Sequence, residues 1–395
     1  MLKKTKSIAD SAIRRVAVLV DTSTDWGRRI ITGVVSYVRE HERWQLFIEP
    51  VGLEAQHLLP TGWQGDGVIA RVSTSKIANH LGARNIPVVN ISGVQIPGPQ
   101  FPRVANDVRM VAKMAADYFL ARGFKNFGYL SPLGFEPVAE QREAFAAALA
   151  EEGFTCAVYS VKTHHGAQNV DWNTNIHQLG EWLRSLPKPL AVLTWSGGRE
   201  VIYAAQHAGL SVPEEVSLMS GSDDFLCEVS QVPISAVRAA GERIGYEAAS
   251  QLDALMRGSG DPDFSIYIPP SDIITRQSTD TLAISDRSLI QALTFIRENS
   301  EKPIQVRETA SEAGVSRRVL ERRFKEVLGS TPAEHIRRSH LDRAKRLLSE
   351  TNLAMPEVAE AAGFGSPAYM SFIFRKELGT TPLRYRREAR GTRRQ

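Results

Sequence analysis

Short apolar runs and longer amphipathic stretches alternate through the first 280 residues of the chain. Val16 to Val20 (VAVLV) is apolar at every position, as in a strand buried on both faces. Further strands are expected at LFIEP, GVIA (Gly67 to Ala70), VVNI (Val88 to Ile91), FGYL from Phe127, AVYSV, LAVLTW and VSLMSG. Helical periodicity fills the intervals, most clearly from Trp26 to Arg39, Val108 to Ala121 and Glu140 to Glu151. Four- to six-residue apolar runs separated by helical patterns read as βαβ units, which build parallel sheets. The strands are too many for one compact half, so two α/β lobes with a cleft between them are expected. In such sheets ligands bind outside the carboxyl ends of the strands. The stretch IYIPPSDIITRQSTD reads as the closing strands, and residues 281–288 as a linker. Everything from 289 to 388 reads as helix, and 389–395 as a basic tail. The expected organisation is therefore an α/β body over 14–280 followed by an all-α domain.

Composition changes this picture in two ways. The last 111 residues carry 22 Lys and Arg against 14 Asp and Glu, leaving 26 basic and 30 acidic residues in the rest. A basic helical end on an acidic body points to a polyanionic partner for that end alone. No apolar run approaches the roughly 20 residues of a membrane span, and two cysteines are too few for a disulfide framework or a cysteine-rich metal site. The cytoplasm is the expected address, with no membrane partner and no cofactor.

The helical end contains an internal duplication. Its first copy runs Ala310-x3-Gly314-Val-Ser316, Leu320-x3-Phe324-Lys325-x3-Gly329-x-Thr331-Pro332. The second runs Ala359-x3-Gly363-Phe-Gly-Ser366, Met370-x3-Phe374-Arg375-x3-Gly379-x-Thr381-Pro382. In each copy a short helix ends at a glycine that can turn left-handed, and a serine follows where the next helix needs an N-cap. Leu320 with Phe324, and Met370 with Phe374, make an inward i, i+4 stripe. Outward on the first copy stand Arg317, Arg318, Glu321, Arg322 and Lys325. A helix-turn-helix places such a helix in the major groove of double-stranded DNA, where arginine bonds guanine bidentately. The second copy presents Pro367, Ala368, Ser371 and Phe372, which suit phosphate and thymine-methyl contacts better than bidentate base bonds. Ser316 and Ser366 complete the expected DNA-facing set. The segment PAEHIRRSHLDRAKRLLSE should be one helix that fixes the spacing of the two units.

These residues resemble the AraC/XylS-type DNA-binding domain over about 286 to 387, above all Gly363-Phe364 and the two Gly-x-Thr-Pro endings. Phe372 stands where that family often has arginine. The body resembles the periplasmic-binding-protein-like sensor of LacI/GalR-type regulators, on WQGDGVIA, Asp107 and GLSVPEEVSLMSGSDD. Their combination is similar to regulators of the XylR type, implying a two-lobed sensor for a monosaccharide such as xylose, a homodimer, and RNA polymerase as a possible further partner. The resemblance implies that Asp223 binds sugar hydroxyls and that Trp26 stacks on the sugar ring, with Asp21 and Asp25 on the same cleft edge. Trp195 replaces a frequent aspartate, and Gln141, followed by Arg142, replaces a frequent arginine. Trp26 and Trp195 fit lobe packing equally well, Asp107 fits a helix cap, and Arg142 fits an ordinary surface position.

Two other classes compete. An enzyme would suit two α/β lobes, but neither a Walker-type loop nor a G-x-S-x-G elbow is present, and His164, His165 and His177 lack metal-ligand spacing. A sensor that has lost its ligand and serves only for dimerisation is the other.

Overall fold

The computed structural model describes residues 13–41, 44–50, 58–132, 138–161, 171–281, 286–351 and 353–389. The chain divides into two packed units: one holds two sheets, the other the helices after Thr281 together with Gly209–Val216.

The first sheet contains β1 (Arg14–Leu19), β2 (Trp44–Ile48), β3 (Gly67–Ala70), β4 (Val88–Asn90), β5 (Arg103–Asn106) and, from much later in the chain, β11 (Ser265–Ile268). Its order is β11-β5-β4-β3-β1-β2, with every pair parallel. Strand β1 shows why the apolar run does not alternate. Val16 and Val18 enter one core with Ile30, Val34 and Leu252, while Ala17 and Leu19 enter another with Ile77 and Leu81. Successive side chains point to opposite faces, and both faces are covered. The covering helices are α1 (Asp25–His41) and α2 (Ser75–Gly82).

The second sheet contains β6 (Asn126–Pro132), β7 (Cys156–Val161), β8 (Leu190–Thr194), β9 (Val216–Ser220), β10 (Ser235–Arg238) and β12 (Asp272–Ile274), in the order β12-β10-β9-β8-β6-β7. It departs from the expected all-parallel arrangement, because β12 runs antiparallel to β10. The short segment between β11 and β12 returns the chain to the second sheet from the opposite direction. Around it lie α3 (Val108–Ala121), α4 (Ala139–Glu151), α5 (Trp172–Ser185), α6 (Arg199–His207) and the short α7 (Phe225–Glu228). Helix α8 (Gly241–Met256) belongs to the first lobe, where it crosses α1 backbone to backbone. A Cβ on Gly33 would stand 2.0 Å from the Glu242 carbonyl oxygen, and one on Gly245 would stand 2.1 Å from that of Ile30. The chain thus passes between lobes after β5, after β10 and after β11.

The second unit holds seven helices among the described residues: α9 (Arg287–Glu298), α10 (Val306–Glu312), α11 (Arg317–Leu328), α12 (Pro332–Glu350), α13 (Met355–Ala361), α14 (Pro367–Leu378) and α15 (Pro382–Ala389). They pack around two cores, one per repeat. The first gathers Leu289, Ala292, Ile296, Leu320 and Phe324; the second gathers Val358, Met370, Ile373 and Phe374. Helix α12 gives Ile336 to the first core and Leu341, Ala344 and Leu348 to the second. One continuous helix therefore joins the repeats. Helix α9 begins two residues inside the expected linker, because Asp286 caps it by accepting from the amides of Ser288 and Leu289. Residues 282–285 and 390–395, half of the expected linker and most of the expected basic tail, lie outside the described residues, as do His164 and His165. No helix among the described residues is long and apolar enough to cross a membrane.

Candidate DNA-binding surface and ligand cleft

Each repeat turns where its glycine is. Gly314 and Gly363 adopt φ of 64° and 70°, a left-handed conformation that costs an L side chain. Ser316 Oγ then accepts from the Val319 amide at 3.3 Å, and Ser366 Oγ from the Tyr369 amide at 3.2 Å, so both serines are N-caps. The Gly-x-Thr-Pro ending has the same logic. Gly329 closes α11 in the left-handed region, Thr331 and Glu334 exchange side-chain bonds with each other's amides, and Pro332 opens α12.

Leu320, Phe324, Met370 and Phe374 are completely buried, which fixes the outward faces of α11 and α14. On α11 the exposed Arg317 is tied to Glu321 at 2.8 Å, Arg322 approaches Glu326 only to 3.9 Å, and Lys325 donates to the Gly329 carbonyl. Arg318 has no partner among the described residues. Arg318 and Arg322, one turn apart on one face, are the guanidinium groups most free to bond something outside the chain. Arg323 is different. It binds Asp286 at 3.0 Å and Ser288, locking α11 to the start of α9. Burial favours the neutral acid of Asp286, but bonds from Ser288 and Leu289 and the Arg323 charge hold its pKa below the ordinary value.

On α14, Pro367 and Ala368 are exposed and Ser371 is half-buried. Phe372 is 58% exposed and lies stacked with Tyr369, itself 44% exposed, at 6.5 Å between centroids. Sequence reasoning missed Tyr369, although its i, i+3 spacing from Phe372 was visible. Arg386 of the arginine-rich end is structural, donating to the Leu353 carbonyl at 2.6 Å.

The residues expected at the ligand cleft fall into three groups. Some are already engaged. Asp25 pairs with Arg29 at 2.6 Å, Arg142 approaches Glu143 at 3.4 Å, and Asp107 caps α3 through the Met110 amide. Others support the cleft from beneath. Gln141 is buried and accepts from the Tyr129 hydroxyl at 2.7 Å, and its Nε2 and the backbone carbonyl of the half-buried Trp195 pack against Gly221. Asp223 follows β9 and receives Arg276 Nη1 at 2.8 Å, an ion pair that occupies Oδ1; Asp224, not Asp223, caps α7.

The third group is unsatisfied. Asp21 is fully buried; its Oδ1 accepts from the amide and hydroxyl of Ser23, while Oδ2 has no partner. The indole Nε1 of Trp26 is also buried without a partner. Over the Trp26 ring, 5.7 Å from its centroid, lies Arg71, which immediately follows β3. At the ends of β5 and β10, Asn106 Oδ1 and Arg238 Nε are likewise buried and unpaired. Arg71, Asn106, Arg238 and Arg276 escaped sequence reasoning. Their common signal is position at or near the carboxyl end of a strand, as with Arg71 directly after GVIA.

Comparisons with known proteins fit both halves. A family model described as the XylR N-terminal domain matches residues 15–110, a periplasmic binding protein-like domain matches 116–279, and a helix-turn-helix domain matches 309–388. The xylose operon regulatory protein of Escherichia coli is 29% identical over 384 residues, covering 94% of this chain and 96% of its own. That of Haemophilus influenzae is 27% identical over 386 residues, covering 94% and 98%. A solved structure of the xylose-binding transcription activator XylR superposes with a TM-score of 0.80 at 28% identity, over 95% of this chain and 98% of that one. With both lobes and the helix-turn-helix region matched over nearly the whole chain, the protein is homologous to the XylR xylose operon regulators, with a periplasmic-binding-protein-like sensor region followed by a helix-turn-helix DNA-binding domain.

Proposed function

We propose that this regulator senses a monosaccharide, xylose or a relative of it, in the cleft of its α/β unit, and that occupancy alters operator binding by a cytoplasmic homodimer. The observation that carries the reading is the set of buried, unpaired polar atoms at the strand ends beside an aromatic ring: Asp21 Oδ2, Trp26 Nε1 and Asn106 Oδ1. Buried polar groups in a finished structure are normally hydrogen-bonded, and a polyol supplies both the donors and the acceptors these atoms lack. Likeness to a xylose-binding activator over nearly the whole chain supports the same reading. No catalytic step is assigned.

On the DNA side, α11 reads sequence through Arg318 and Arg322. Helix α14 contributes phosphate contacts and apolar contact to thymine methyls through Tyr369 and Phe372. Ser316, Arg317, Glu321, Lys325, Ser366, Pro367, Ala368 and Ser371 complete that surface. Two units joined by α12 reach successive major-groove segments about 34 Å apart. RNA polymerase is the further partner if the regulator activates.

The test is thermal stability and operator binding of the purified full-length chain against neutral pentoses and hexoses, sugar acids and sugar phosphates. A ligand at about 100 times its dissociation constant stabilises a protein by roughly 2.7 kcal/mol. At least one sugar should raise the melting temperature and change operator affinity, and both effects should vanish in Asp21→Asn. Operator binding that no sugar alters would instead mark a sensor without a sugar ligand.

A further inference from the structure

The idle polar groups of the cleft restrict the kind of sugar it would accept. Arg71 follows β3, and its guanidinium lies over the Trp26 ring and makes no hydrogen bond or ion pair among the described residues. It is half-buried, and burial lowers the pKa of its guanidinium, with the nearby Asp21 charge opposing. Asp21 does not neutralise it by contact. One carboxylate oxygen is held by Ser23 and the other is buried and unpaired, so the two charges feel each other without bonding.

Idle donors outnumber idle acceptors at this edge. A guanidinium offers five N–H groups and no acceptor. Trp26 Nε1 adds a donor, whereas the unpaired acceptors are Asp21 Oδ2 and Asn106 Oδ1. Asp223, the carboxylate expected to take sugar hydroxyls, already spends Oδ1 on Arg276. A neutral sugar would bring about as many donors as acceptors and would leave the Arg71 guanidinium with no anion bonded to it, only the Asp21 charge nearby, when the cleft is filled. Burying an unpaired charge is costly.

We infer that the effector is an anionic monosaccharide, with its carboxylate or phosphate on Arg71 and its hydroxyls on Asp21 and Asn106. The planar guanidinium fork matches either anion through two parallel hydrogen bonds. This inference rests on the sugar-site reading above.

The experiment is calorimetric titration of the full-length protein with xylose and glucose, with xylonate and glucuronate, and with glucose 6-phosphate. Acetate and inorganic phosphate serve as bare-anion probes. A sugar acid or sugar phosphate should bind about 10- to 100-fold tighter than its neutral parent, the range expected for a charge-assisted pair. The carboxylate and phosphate arms identify which anion is preferred. In the unaltered protein this preference should shrink as salt rises. Arg71→Gln should bring acid and neutral parent to similar affinity, and Arg71→Lys should keep part of the difference. The melting temperature of each unliganded variant shows whether it is folded. If neutral sugars bind as tightly as their acids, the anionic assignment is wrong and the sugar site stands. If bare acetate or phosphate binds as tightly as the sugar anions, the polyol contacts are wrong. Failure of every sugar to bind overturns both the inference and the reading beneath it.

Discussion

At the scale of single residues, Gly314 and Gly363 occupy the same place in the two repeats but differ in their surroundings. Both are left-handed, so an alanine at either position carries a backbone penalty of about 1–2 kcal/mol. At Gly314 nothing stands near an added Cβ, whereas at Gly363 it would meet His340 Nε2 and the Lys302 carbonyl oxygen at 2.7 Å. Gly363→Ala should therefore destabilise the helical unit more than Gly314→Ala, measured by urea denaturation of the full chain; equal losses would show that only the backbone matters. His340 adds a pH effect. Burial lowers its pKa from 6.5, and the Lys302 carbonyl only partly opposes this. The unfolded chain then binds the proton more readily, so stability is full above 6.5 and is lost as pH falls below it. The melting temperature should fall between about pH 7.5 and about pH 5, and His340→Gln should flatten that dependence. The serine caps and glycine turns were readable in the sequence because they act within a few residues. His340 was not, since its neighbours Phe364 and Gly363 come from another helix-turn-helix element.

Elements were legible where their cause is periodic and hidden where it is a long-range contact. Helix α12 matches its sequence segment from Pro332 to Glu350 because apolar spacing, the Thr331 cap and Pro332 all agree. The antiparallel β12 has no local cue, since three residues say nothing about direction. The α1–α8 crossing is hidden for the same reason: Gly33 and Gly245 touch the opposing backbones but lie far apart in sequence. Gly245→Ala should cost about 1–3 kcal/mol by overpacking that crossing, seen as early unfolding of the α/β unit with the helical unit little changed. The recognition helices differ by chemistry. Arg322→Ala should cost about 1–3 kcal/mol in operator binding and relax base preference, as read by fluorescence anisotropy against operator variants. Phe372→Ala should weaken binding without altering its salt dependence, because an apolar contact releases no counterions. A changed salt slope would assign Phe372 no direct contact.

On the scale of the whole molecule, charge divides the work. The basic helical end and the acidic α/β body were visible in composition, as was the two-domain order. The ligand chemistry was not, because Asp21, Arg71 and Asn106 come from separate segments that the first sheet brings to the same end, with Trp26 on α1 and Arg238 at the end of a strand of the second sheet. An effector bound at those ends can change operator affinity only by as much as it prefers one conformation over another. A 10- to 100-fold change corresponds to about 1.4–2.7 kcal/mol of coupling. Coupling of this kind is reciprocal, so saturating operator DNA must change effector affinity by the same factor and in the same direction. Non-specific DNA, held chiefly through phosphates, should change it less. Titrating the effector into free protein, protein with operator and protein with random duplex measures all three. Asp21→Asn should lose effector binding while keeping the operator affinity of the unliganded protein, because Asp21 lies in the α/β unit and the DNA-facing side chains lie in the helical one. If operator affinity fell equally in Asp21→Asn and Arg322→Ala, the division between a sensing unit and a reading unit would be wrong. If operator left effector affinity untouched, the two units would share a chain without sharing a signal.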